Sequence, residues 1–352
     1  MAGIKDVTDY AGYDDYCAPI EQLTAAVTGA GHVNQYDLSI AGHNVRLRSP
    51  YQPLIDTLKP AIEHLVHEVS DEIVDLEIFL IDLSRTGGLS LSVIPWEPLL
   101  RRGHRGISVD GMYLQYVHIA ETDVRILSAY DSRKDRAYYF VSSTEGLPWY
   151  ISGAPMHEIL YWWVRSKNMH ILHCGVVGKD DKGIALLGGK GAGKSTMVLS
   201  CLERGFQYVS EDYCIVTNSD KPVAYNLYNS AKFTDFTFEM FPHLLSYVKN
   251  DRKRNDKTLV YYKDIYSAKI TSKLPLEALI SLNLDLNATA SLTRVDMDKV
   301  FLDMISSTTL QNPIFELSST DFFQGLKSRL PGYELTHGSK TDATFELLAG
   351  LL

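Results

Sequence analysis

Cysteine is scarce in this 352-residue chain: four thiols, at positions 17, 174, 201 and 214, and no C-x-x-C pair. That spacing builds neither a disulfide framework nor a thiolate zinc site, and it predicts reduced thiols in a cytoplasmic protein. Long apolar runs are missing too. The most apolar stretch, 73–83, is interrupted by Asp75, Glu77 and Asp82 and falls short of the ~20 apolar residues that span a bilayer. The first residues carry no apolar core of a secretory leader, so no membrane association is expected. Positive charge is not in excess. Lys and Arg number 34 against 43 Asp and Glu, a net charge of −9. This argues against bulk electrostatic binding to nucleic acid or an anionic membrane but leaves room for a local basic site. The sequence also lacks a G-x-S-x-G hydrolase elbow, a G-x-G-x-x-G dinucleotide loop with its distal acid, an N-K-x-D-like guanine signature, and any repeat of solenoid period.

What is present is ordinary globular composition, 45% hydrophobic and 22% charged, in a chain long enough for two domains. The first 20 residues, acidic and Tyr-rich, are expected to be loosely ordered. Val45-Arg46-Leu47-Arg48 alternates as a half-buried strand does. Apolar residues at 54, 55, 58, 62, 65, 66 and 69 predict a helical face over 54–69. A buried strand is expected over 75–83, and short strands at 113–119, 124–128 and 136–141, separated by turn residues. Residues 1–150 therefore read as an α+β domain with a meander-like sheet, free of recognisable chemistry and suited to substrate or partner recognition. A boundary falls near Leu147-Pro148-Trp149-Tyr150. A helix is expected to begin at Ser152-Gly153-Ala154-Pro155 and to bury Ile159, Leu160, Trp163 and Val164. Trp162 and Trp163 read as core packing.

The chemistry lies in residues 151–352. His173 to Val177 predicts a strand, Lys179 to Gly183 a turn, and Ile184 to Leu187 a second strand, together an antiparallel hairpin. Next comes Gly188-Gly189-Lys190-Gly191-Ala192-Gly193-Lys194-Ser195-Thr196, then a helix with Val198, Cys201 and Leu202 on one face and Gly205 as its C-terminal cap. Gly188-x-x-x-x-Gly193-Lys194-Ser195 is the full P-loop (Walker A) pattern in its strand–loop–helix context. Glycines let backbone N–H groups turn around phosphate oxygens, and the helix start adds its free amides and dipole. Lys194 supplies a charge for the β- and γ-phosphates and Ser195 a hydroxyl for magnesium. ATP, or another nucleoside triphosphate, with Mg2+ is the expected ligand. A right-handed crossover makes the next strand, Phe206 to Val209, parallel to Ile184–Leu187, and it delivers Glu211 and Asp212 beside the loop. Adjacent carboxylates on an extended chain face opposite sides, so one can face a metal and the other an acceptor.

Other patterns carry less. His170 and His173 would face opposite sides of a strand, and His64 with His67 is only a pair, so neither predicts a metal site. The run from Lys249 to Lys257, with Arg252, Lys253 and Arg254, is a local basic patch: a solvated loop or a lid reaching the nucleotide or substrate. Leu279 to Leu284 reads as a core strand, since Asp212 already fills the Walker B place of Asp285. Ser306-Ser307-Thr308-Thr309 reads as a helix or turn boundary.

Over about residues 168–217 the His173 strand, the hairpin into Gly188–Ser195, the helix to Arg204-Gly205 and the Glu211-Asp212 pair resemble the catalytic core of HPr kinase/phosphorylase. That family has a P-loop on a fold related to phosphoenolpyruvate carboxykinase. The wider chain is similar to HPr-kinase-like proteins of unknown substrate at Leu147–Tyr150, Trp162-Trp163, Tyr228-Asn229-Ser230-Ala231-Lys232 and Asp256-Lys257. The resemblance implies an α/β P-loop kinase core with a mixed sheet, preceded by the smaller α+β domain. It implies Glu211 as base on the acceptor hydroxyl, Asp212 with Ser195 on magnesium, and His173 near the phosphates. It also implies Lys232 and Lys257 toward substrate, in preference to Arg252 and Arg254 of the basic patch, and a homo-oligomer. Two features depart from the family: Glu stands at 211 where Asp is usual, one methylene longer, and the glycine-rich C-terminal signature is absent. The expected function is ATP- and magnesium-dependent transfer of the γ-phosphoryl group to a hydroxyl of a peptide, protein or small metabolite. The alternative is a nucleotide-binding regulatory protein with little transfer activity.

Overall fold

A computed structural model describes residues 12–29, 31–69, 71–88, 106–251, 257–311, 319–338 and 342–352. The chain is a mixed α/β protein built on two large mixed sheets. Its first element is a helix, α1 (Tyr13–Thr28), so the expectation of a loose first 20 residues fails from Tyr13 onward. Tyr16, Ile20, Leu23 and Val27 fall on one face of α1 and are buried. At roughly 1.5–3 kcal/mol for each large apolar side chain removed from water, that stripe outweighs the backbone bond forfeited at Pro19.

The strands β1 (Asn34–Ile40), β2 (His43–Ser49), β3 (Val66–His67), β4 (Leu76–Asp82), β5 (Ile107–Val109), β6 (Met112–Ile119), β7 (Val124–Asp131) and β8 (Arg136–Val141) form the first sheet, in the order β3-β1-β2-β4-β8-β7-β6-β5. β6 to β8 are the expected meander, which β5 extends by one antiparallel strand, and β2, β4 and β8 run parallel to one another. The helix expected over 54–69 stops early. Helix α2 (Gln52–Leu58) gives way at Lys59-Pro60 to two single 3-10 turns and then to β3, because Pro60 has no N–H to continue the ladder.

One face of this sheet packs on α1. The other faces α2 and helix α3 (His157–Ser166) in a core that also takes in Ile171, Ile215, Tyr228 and Leu259 from the second half of the chain. α3 begins at His157, later than expected, after a short helical turn at Trp149–Ser152 and a left-handed Met156. Trp163 is fully buried, and Trp162 stacks on Tyr113 at 5.8 Å, so both are core residues as the sequence suggests.

The second half contains β9 (Met169–His173), β10 (Gly175–Lys179), β11 (Lys182–Leu187), α4 (Lys194–Glu203), β12 (Gln207–Ser210), β13 (Tyr213–Thr217), β14 (Val223–Asn226), β15 (Ser230–Phe233), α5 (Asp235–Met240), β16 (Thr258–Tyr261), β17 (Lys273–Leu284), β18 (Ser291–Arg294), α6 (Met297–Gln311), α7 (Ser319–Arg329), β19 (Gly332–His337) and α8 (Asp342–Ala349). Asp180 and Asp181, both at positive φ, close the β10–β11 hairpin. The sheet order is β12-β10-β11-β17-β14-β13-β9, with β19 and β18 added beside β17. β17 is the long member, pairing with β14 at its start and with β11 and β19 further on. Helices α6 and α7 cover one face. Helix α4, the β15–β16 hairpin and α8 cover the other. Gly175 permits the close seat of α4, since a Cβ there would come within 2.6 Å of Val198 Cγ2.

Asn229 ties the halves together. Its side-chain Nδ2 shares its two hydrogens among the carbonyls of Pro60 and Ala61, both at 2.9 Å, and His64 Nδ1 at 3.0 Å. His64 Nε2 then donates to Asn226 Oδ1, which leaves the imidazole neutral. Burial pushes His64 down to about 4, and it pushes His170, stacked on Phe322 at 4.0 Å, down to about 3. Unfolded histidine titrates near ~6.5. The unfolded chain therefore binds protons first as pH falls, so this stability is complete above ~6.5 and is lost below it, each site weakening the fold by about 2 kcal/mol between about pH 7.5 and about pH 5. Glu211, whose carboxyl is pushed up, shifts the whole curve the other way, so the variant is the test. In urea unfolding, His170→Phe should lose about 2 kcal/mol less than the natural chain over that interval. Equal losses would mean that His170 is charged in the fold.

Candidate functional site

The strand expected over His173–Val177 is broken. β9 ends at His173 paired with Tyr213, and β10 begins at Gly175 in a different part of the sheet. The chain makes the same change of partner between β12 and β13, and that link is Glu211-Asp212. The two crossings lie side by side: Val176 pairs with Ser210, and the Ser210 hydroxyl donates to the Cys174 carbonyl at 2.9 Å. Sheet geometry thus brings residues 38 positions apart, His173 and Glu211, to one place. Helix α6 secures the first crossing. The His173 N–H donates to Thr308 Oγ1 at 3.3 Å, and the Ser307 hydroxyl donates to the His173 carbonyl at 3.2 Å. Ser306 to Thr309 therefore belong to the body of a helix, where the sequence suggested a boundary. The role of Ser307 and Thr308 as partners for an interrupted strand leaves no mark on helical periodicity.

Beside the crossings, the 188–195 segment turns from β11 into α4. Gly188 has φ 146, and a Cβ there would meet that of Ala192 at 2.7 Å. Gly193 has φ 86, a conformation suited to glycine, and serves as the N-terminal cap of α4. Lys194 bends back so that its ammonium donates to the Gly188 carbonyl at 2.5 Å. Burial pushes its pKa down, against the pull of Glu211 and Asp212.

The two carboxylates have unlike surroundings. Glu211 is buried, and the nearby Ser195 hydroxyl favours its charged form; its Oε2 finds no hydrogen-bond partner among the described residues. Burial, then the charge of Asp212, pushes its carboxyl up to about 7. Asp212 is clamped: Lys232 Nζ lies 2.9 Å from Oδ2 and His173 Nε2 2.7 Å from Oδ1. Burial alone would push Asp212 up, but Lys232 and His173 outweigh it and hold the carboxyl well below the usual range. Two adjacent acids driven apart in this way mark a site poised for chemistry.

These groups line a cleft of about 640 Å³, a size suited to a small-molecule ligand. Gly188, Gly189, Lys190, Gly191, Gly193, Lys194, Ser195 and Thr196 form one wall, and His173, Glu211, Asp212, Lys232 and Lys257 share the cleft with them. Ala192 turns its carbonyl to His337. Arg252 and Arg254, with Asp256, lie outside the described residues. Residues that sequence reasoning missed complete the lining: Thr234, Phe236 and Thr237 at the start of α5, Leu284 from the end of β17, and Ser306 and Ser307 from α6. Phe236 is exposed at 60%, the one signal being an aromatic a few residues after Lys232. His170 packs on Phe322 and His64 on the asparagines.

No protein-family model matches the chain, and no curated protein does. Among solved structures, the HPr(Ser) kinase/phosphatase from Coxiella burnetii aligns with 52% of this chain and 93% of its own, at 11% identity and a TM-score of 0.29. That likeness is too low to fix the fold or the activity of this chain. No helix among the described residues is long and apolar enough to cross a membrane. The site's chemistry rests on its own geometry: a turn that can present amides to an anion, a lysine within reach, a buried carboxylate beside the Ser195 hydroxyl and a second carboxylate held ionised.

Proposed function

We propose that the chain is an ATP- and magnesium-dependent kinase that transfers the γ-phosphoryl group to a hydroxyl acceptor, either a serine of a peptide or protein or a small hydroxylated metabolite. The observation that carries this reading is the contrast between Glu211, set against Ser195, and Asp212, set between His173 and Lys232. Loop amides and Lys194 would hold the phosphates, as in a P-loop kinase. The fit to magnesium is good: Ser195 Oγ and the orphaned, buried Glu211 Oε2 are hard oxygen donors, and a few protein oxygens plus substrate phosphates is how this ion is usually held. When bound, it would neutralise charge on the transferring group.

This division reverses the one that the family resemblance implies. Glu211 takes the metal side with Ser195, and Asp212 takes the acceptor side. Each Asp212 oxygen already accepts one hydrogen bond and keeps a lone pair for the acceptor hydroxyl. Lys232 and His173 fix the carboxylate's orientation, and in phosphoryl transfer positioning counts for more than basicity. One observation favours the regulatory alternative: a carboxylate held so firmly ionised is a poor proton acceptor. Incubation with γ-labelled ATP, magnesium and a panel of serine peptides and small alcohols separates the two. Label on an acceptor supports the kinase. Nucleotide binding without label on any acceptor favours the regulator.

A further inference from the structure

We infer that His337, a residue no motif singles out, is a positioning residue for the glycine-rich loop: it holds the peptide plane between Ala192 and Gly193 so that the Gly193 amide points into the cleft. This rests on the proposed role of 188–195 as a phosphate cradle. His337 closes β19, opposite Leu284 of β17, and its side chain is buried beneath the loop. Its Nε2 lies 3.2 Å from the Ala192 carbonyl oxygen. A carbonyl can only accept, so Nε2 carries the hydrogen and donates it. The described peptide bonds are all trans. In a trans peptide the C=O and the following N–H point in opposite directions, so anchoring the Ala192 carbonyl downward turns the Gly193 N–H upward. The ring also sits under Gly193, where a Cβ would meet His337 Cε1 at 3.1 Å.

The latch has a reason to exist. Ala192 is flanked by Gly191 and Gly193, both at positive φ, and a plane next to glycine rotates with little steric resistance. The Ala192 N–H is already directed at the Gly189 carbonyl, at 3.2 Å, so the next amide is the one whose direction needs fixing. A loop that holds the productive orientation only about a tenth of the time binds its anion about tenfold more weakly.

Two substitutions separate donation from packing. His337→Gln keeps an N–H donor near the Nε2 position and loses the ring; His337→Phe keeps the ring and loses the donor. Magnesium ADP is titrated calorimetrically into the natural chain, both variants and Lys194→Ala. The expected result is a Kd within about threefold of the natural chain for His337→Gln and about tenfold or more weaker for His337→Phe. Tight binding by His337→Phe, or weakening by His337→Gln to the same degree, overturns the inference and leaves the cradle standing if Lys194→Ala has lost binding. Should His337→Phe fail to fold, His337→Gln decides: near-natural affinity supports donation, and tenfold weakening overturns it. No binding by the natural chain, or unchanged binding by Lys194→Ala, removes the cradle and this inference with it.

Discussion

Asp212→Asn is expected to reduce label transfer about 10³-fold or more while leaving the Kd for magnesium nucleotide within about threefold. Asparagine has nearly the same shape, but its amide presents one acceptor oxygen and one donor nitrogen where the carboxylate presents two acceptors. The side chain sits between Lys232 at 2.9 Å and His173 at 2.7 Å, both donors in that contact. The amide nitrogen must then face a donor or turn away, and either choice removes the oxygen that would orient the acceptor hydroxyl. The effect belongs in kcat, since Asp212 is not paired with Ser195. Glu211→Gln should do the converse and weaken binding of the magnesium nucleotide, because Glu211 is the carboxylate against that hydroxyl. If Asp212→Asn instead loses nucleotide affinity and keeps its turnover, the two acids have been assigned the wrong way round.

Lys194→Ala is expected to weaken magnesium nucleotide binding by about 30-fold or more. Truncating one partner of a buried, hydrogen-bonded charge contact removes roughly 2–5 kcal/mol of affinity. In the free chain the ammonium donates to the Gly188 carbonyl at 2.5 Å and is drawn by the charges of Glu211 and Asp212, and it can swing outward to an incoming phosphate. Lys194→Arg should rescue poorly, since a planar fork does not fit a point-charge position inside a tight turn. Calorimetric titration checks both variants, and thermal unfolding of the free proteins shows whether folding is intact. Natural affinity in Lys194→Ala would mean that the nucleotide, if bound at all, is bound elsewhere.

Much of the site was legible along the chain because it is local. Gly188 to Thr196 follows a strand and opens a helix, a pattern set by short-range backbone requirements, and Glu211-Asp212 arrives one crossover later. Lys232 was named only through a family likeness, and the structure puts its ammonium on Asp212. The less legible parts depend on contacts between distant segments. Nothing in the apolar run around His173 announces that the strand must change partners at Cys174, since both pieces are buried and share one hydrophobic pattern. His337 reaches the loop from 145 residues beyond Ala192. Helix α1 carried a legible stripe at Tyr16, Ile20, Leu23 and Val27, but Pro19 and the neighbouring acids obscured it. The meander of β6 to β8 was readable because turn residues punctuate alternating strands. The parallel pairing of β2, β4 and β8 was not, since partner choice at long range leaves no local trace.

The apolar seam running from the first sheet through α3 to Tyr228 and Leu259 bears on how the acceptor is to be sought. A fragment starting at residue 151 would leave Leu160, Trp163 and Tyr228 facing water. Such a truncated product would clump for reasons unrelated to catalysis. Screening therefore calls for the entire polypeptide, with its first 150 residues kept as the other wall of a shared interior.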